Sequence, residues 1–216
     1  MPTKDATVGQ QAPFSPAGPT ALITLAFYVS VVLPLSAGAV AEQYAGILVP
    51  VGAIIAIIQL ICGAIELRNG ALLSGTVSLA FCCFMAMGCG ETLLKIHGLM
   101  PLDSSSIDGY IMMVMGFLMF MFLPIAIRAP LTVFALYLAN ALFFTPTGIG
   151  FIFKLPALVN IGTCSMAFVC PLAFWIGVAQ ILEIERGRPV LWMGQPLLKA
   201  TAPVSTTSER TGMQTN

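Results

Sequence analysis

The chain has 216 residues, 58% of them hydrophobic and 8% charged, with a mean hydropathy of +0.95 and no formal net charge. Soluble domains carry about 25% charged residues, so a water-soluble fold is excluded, and without a run of Lys or Arg nothing favours a nucleic-acid partner. Enzyme chemistry lacks its parts as well: there is no HExxH, no glycine-rich phosphate loop, no Ser or Cys with a histidine at a plausible site, and no pair of acids within an apolar stretch.

Residues 1–19 are polar and rich in Gly, Gln and Pro. They lack the basic start and compact apolar core of a cleaved signal peptide, so the first span is expected to stay in the mature protein. Six stretches without Lys, Arg, Asp or Glu follow: 20–41, 45–65, 71–90, 109–127, 129–153 and 155–182. A helix needs about 20 residues to cross roughly 30 Å of hydrocarbon, and each stretch meets or approaches that length. The expected fold class is therefore an all-α membrane protein, a bundle of six transmembrane helices over residues 20–182. Short connections leave no room for a soluble catalytic domain, which points to passage of a solute.

Neutral polar side chains punctuate the spans. Thr24, Tyr28 and Ser30 lie in the first, Gln59 in the second, Ser78 in the third, Tyr137 and Asn140 in the fifth, and Asn160, Thr163 and Gln180 in the sixth. Each must find a partner or face a cavity, and a bond across a helix interface contributes about 0.6 kcal/mol on average. With no carboxylate among them, no fixed negative charge is expected to repel an anion. Pro34, Pro50, Pro124 and Pro171 fall within spans, where each can kink a helix, whereas Pro146 and Pro156 are expected to bracket the turn between the last two spans. Small residues four apart, Gly52 with Ala56 and Ala135 with Ala139, allow close backbone approach.

Cys62, Cys82, Cys83, Cys89, Cys164 and Cys170 all lie inside the spans without CxxC or Cys/His spacing, so they read as small apolar packing residues. No metal or cofactor is expected. The longest connection, 91–108, carries the only histidine, His97, and the run Asp103-Ser104-Ser105-Ser106. A lone loop histidine is ordinarily a solvated side chain. Residues 183–216 form a C-terminal tail, expected to be largely disordered after 199, where Thr and Ser dominate.

Charge asymmetry orients the bundle. With six spans both termini share one side, which holds Lys4, Arg68, Arg128, Arg186, Arg188, Lys199 and Arg210 against Lys95 and Lys154 on the other. The positive-inside rule then makes both termini cytoplasmic in a multi-pass cell-membrane protein. A reporter fused after Gln195 is expected inside and one inserted near Ser105 outside; the reverse pattern overturns this threading.

The end of the sixth span reads Gln180-Ile-Leu-Glu-Ile-Glu-Arg-Gly-Arg-Pro-Val-Leu-Trp-Met-Gly-Gln195. It resembles the closing Gly-Arg-x-Val-Leu-Pro-x-Gly signature of the acetate uptake transporter family, the bacterial acetate and succinate permeases and their fungal relatives. Gly187, Arg188, Val190, Leu191 and Gly194 match, whereas Trp192 replaces the usual proline and Gln180 a frequent glutamate. Glu66-Leu-Arg-Asn-Gly70 is similar to the family's turn before helix three, and Gly116-Phe-Leu-Met-Phe-Met-Phe122 to its Phe-rich fourth helix. The order and spacing of these pieces fit across nearly the whole membrane region. The opening motif, Asn-Pro-Ala-Pro-Leu-Gly-Leu in the family, is Ser15-Pro-Ala-Gly-Pro-Thr-Ala21 here, so the asparagine has become serine.

The resemblance implies a permease or channel for small monocarboxylates such as acetate, with or without coupled protons, in a hexamer whose protomers each hold a narrow path. It places substrate contacts at Ser15, Pro16, Ala17 and Pro19, where the first free amides of the helix would face an anion. It also implies a hydrophobic constriction from helices one, three and five, with Phe81 at a tyrosine position, Leu25 nearby, and Ala139 or Asn140 as the third member. Two other readings stay open: a facilitator for small neutral solutes such as amides, alcohols or ammonia, and a non-transporting membrane subunit.

Overall fold

The computed structural model describes residues 14–101 and 105–198. Six helices form: α1 Gly18–Ser36, α2 Leu48–Arg68, α3 Leu72–Ile96, α4 Ser105–Ala126, α5 Leu131–Phe153 and α6 Pro156–Arg186, with a short 3-10 segment, Glu42–Ile47, before α2. There is no strand among the described residues. All six helices are long and apolar enough to cross a membrane. This is an all-α, six-helix membrane fold.

Each helix packs on its neighbours in chain order, and α6 returns to α1, so the six close into a ring. The seam between α3 and α4 is the loosest. Without a hydrophobic driving force between helices in lipid, packing relies on close backbone approach at small residues. On the α4–α5 seam, a Cβ on Gly148 would lie 2.7 Å from the Gly109 carbonyl oxygen, and one on Gly109 would lie 2.8 Å from that of Gly148. The α2–α3 seam is built alike, with the Cβ position of Gly63 3.1 Å from the Gly75 carbonyl oxygen. Gly52 instead makes room for the side chains of Cys89 and Tyr28.

Several sequence expectations are corrected. Helix α3 continues to Ile96 and takes Glu91 and Lys95 with it, so the connection to α4 is only 97–104 and His97 caps a helix end. Residues 102–104, which include Asp103 and Ser104, lie outside the described part, as do 1–13 and the tail 199–216. Pro146 does not bracket a turn; it lies inside α5, where it lacks the amide that would bond back one turn, without ending the helix. Pro50 occupies the first turn of α2, directly after the 3-10 segment, and the chain stays helical through it. Cys62 and Cys89 are buried, but Cys83 and Cys164 face outward, so the packing role fits only part of the set.

Residues 187–198 fold back across the ends of α5 and α6. The Trp175 indole donates to the Trp192 carbonyl at 2.9 Å, and the Thr132 amide donates to the Met193 carbonyl at 3.1 Å. Gly187 and Gly194 supply the left-handed backbone, at φ of 64° and 77°, that lets α6 end and this strap turn.

Candidate solute pathway

The approach to α1 is fixed by the end of α2. The Asn69 side chain donates to the Phe14 carbonyl at 3.1 Å, and the Arg68 guanidinium lies 4.7 Å from the centre of the Phe14 ring. Behind them, the Glu66 carboxylate accepts from the Ala17 amide at 2.6 Å and the Gly18 amide at 2.8 Å through one oxygen. Its other oxygen accepts from the Ser74 hydroxyl at 2.7 Å. Only 6% of Glu66 is exposed. The amides expected to stand free for an incoming anion are therefore already engaged, because the fold brings an acid from 48 residues away onto the helix N-terminus.

A cavity of about 370 Å³ opens beside this cap. Its wall includes Pro16, Pro19, Leu22, Gln59, Glu66, Ser78, Tyr137, Gln180 and Glu183. Buried Gln59 donates to the Ala21 carbonyl at 2.8 Å, a bond from α2 to α1 that holds this wall together. A second cavity, of about 230 Å³, lies towards the other end of the ring among Tyr28, Val32, Phe84, Phe143, Phe144 and Met166. Its far end is charged, with Lys95 2.7 Å from Glu91 and 3.4 Å from Asp108. The Lys95–Asp108 pair spans the loose α3–α4 seam.

Three side chains border both cavities: Leu25 from α1, Phe81 from α3 and Asn140 from α5. They are 5%, 4% and 4% exposed, so they stand in the packed middle of the ring. Asn140 donates to the Leu136 carbonyl one turn back, at 2.9 Å, which sets the orientation of its amide. The Phe81 ring lies 5.9 Å from that of Phe144, which in turn contacts Phe84 at 5.1 Å and Phe143 at 4.6 Å. Such tilted and edge-on pairs hold rings in place. Ala139 is buried but lines neither cavity.

The opening motif divides. Pro16 and Pro19 line the first cavity, Ala17 contributes only its amide to Glu66, and Ser15 is exposed and off the wall. Both Ser15→Ala and Ser15→Asn are therefore expected to leave uptake within about twofold of the parent, as exposed substitutions ordinarily do; a larger change in liposome flux would place this residue in the path. Of the neutral polar residues in the spans, Ser30 and Asn160 face outward and Thr163 bonds within its own helix, so none of the three lines a cavity. Glu66 and Glu183 carry no sequence signal as lining residues, because a charge at a span end ordinarily marks the membrane interface, yet both acids stand on the wall of the first cavity. Among the described residues no group of three or more His, Cys, Asp or Glu could hold a metal ion.

No protein-family model matches the chain, and no curated protein matches it by sequence. Among solved structures, the bacterial acetate channel SatP aligns with a TM-score of 0.77, over 84% of this chain and 99% of that one. The chain has the SatP fold. At 17% identity the likeness is one of fold alone.

Proposed function

We propose that the chain is a membrane channel for small monocarboxylates such as acetate, with its narrowest point at Leu25, Phe81 and Asn140. One observation carries the reading: two cavities in one helix ring lie towards opposite ends and meet only at these three side chains. The acetate channel that shares this fold supports it. Ser78, Tyr137 and Gln180 on the first cavity and Asn140 at the narrowing offer neutral hydrogen-bonding groups to a solute shedding water. Such groups replace a carboxylate's hydration only in part, so protonation or proton symport would lower the barrier. Assembly as a homo-oligomer, six protomers by the family resemblance, and cytoplasmic termini belong to the same proposal.

A facilitator of small neutral solutes is the second reading, favoured by Glu66 and Glu183 on the first cavity wall. Liposomes carrying the purified full chain and offered labelled acetate or acetamide test both. Acetate uptake above that of protein-free liposomes supports the first reading. Acetamide uptake without acetate uptake at any pH supports the second, and no uptake of either removes both.

A further inference from the structure

Glu66 is a carboxylate seated on the N-terminus of α1, whose amides would otherwise stand free. A helix N-terminus carries about half a positive charge together with unpaired amides, and at α1 both are taken up by this buried side chain. Glu183 adds a second acid from α6 on the same cavity, whose wall has no Lys, Arg or His among the described residues. Of the other titratable groups near Glu66, Cys62 adjoins it on α2, and Arg68 is stacked on Phe14 off the cavity wall.

We propose that Glu66 is the charge filter of the first cavity, admitting the uncharged form of a small solute and turning away its anion; this rests on the reading of the bundle as a solute path. Two effects act together. An incoming anion finds the Ala17 and Gly18 amides occupied, and it meets negative charge from Glu66 and Glu183 between apolar walls. Charge of one sign in such a cleft changes local ion concentrations by about 10 to 10³. An uncharged acid or amide loses less hydration on entry, and its own O–H or N–H can donate to Gln180 or to a carboxylate oxygen on the wall. The monocarboxylate would then cross as its protonated acid.

Flux of acetamide against acetate, which are nearly the same size, tests the filter in liposomes at a pH well above the pKa of acetic acid. The parent protein should pass acetamide at least about tenfold faster than acetate, and acidification should bring acetate up towards acetamide. Glu66→Gln keeps an oxygen that can accept from Ala17 and Gly18, and should narrow the ratio by about tenfold. Exposed Glu183→Gln should narrow it in part, and decides the matter together with the parent ratio if Glu66→Gln does not assemble. Acetate anion passing the parent as fast as acetamide overturns the filter, as does an unchanged ratio in an assembled Glu66→Gln protein. Acetate that fails to pass even in acid, while acetamide still passes, removes the monocarboxylate reading and leaves the filter standing. Silence from both solutes overturns the two together.

Discussion

Phe81→Ala is expected to raise solute flux by about tenfold, equivalent to lowering the barrier by about 1.4 kcal/mol. The ring borders both cavities and is 4% exposed, so its removal joins spaces of about 370 and 230 Å³ that now meet only at Leu25, Phe81 and Asn140. A narrow apolar segment excludes water, and widening it allows a solute to keep more of its hydration. The gain should be larger for butyrate than for acetate, because the bulkier solute is the one more hindered by the ring. Truncating a packed phenylalanine costs about 3–5 kcal/mol in a soluble core, so assembly must be checked alongside flux. Phe84→Ala is the control: it contacts the same Phe144 ring but borders only the second cavity. Equal flux gains from the two variants, or lost assembly without any gain from Phe81→Ala, would make the ring a packing element.

Gly148→Ala should weaken the bundle by about 1–3 kcal/mol, the usual range for overpacking. The added carbon would sit 2.7 Å from the Gly109 carbonyl oxygen and 3.0 Å from the Met113 amide nitrogen. Both obstacles are backbone, so no side-chain rotation relieves the clash and α4 must move off α5. Gly148→Leu should prevent assembly altogether. Gly90→Ala, where an added carbon meets nothing within 4 Å, should be neutral or slightly stabilising through better helix propensity. Thermal unfolding in detergent, followed by circular dichroism, separates the two positions. Equal melting temperatures for Gly148→Ala and Gly90→Ala would mean that the α4–α5 seam is not held by this contact.

The six helices were legible because crossing hydrocarbon is a demand on composition: an uncharged apolar stretch of sufficient length admits no other structure. Facing was not legible from pattern, since helices that are apolar all round show no stripe to tell cavity from lipid. Nothing in the pattern marks Leu25, Phe81 and Asn140 as bordering both cavities; only the family resemblance points to them, with Ala139 as the alternative to Asn140, and Phe84, Phe143 and Phe144 carry no signal that sets them apart from lipid-facing aromatics. Pro146 misleads because a proline near a span end reads as a breaker, while a helix packed in a bundle tolerates the loss of one amide. Most of all, the sequence placed Glu66 at the membrane edge beside Arg68. Only the packing of α1 against α2 and α3 sets that carboxylate under the Ala17 and Gly18 amides and beside Ser74, on the wall of the first cavity. A charge at a span end is stable either in water or under a ring of donors, and the contacts that choose between them join residues far apart in the chain.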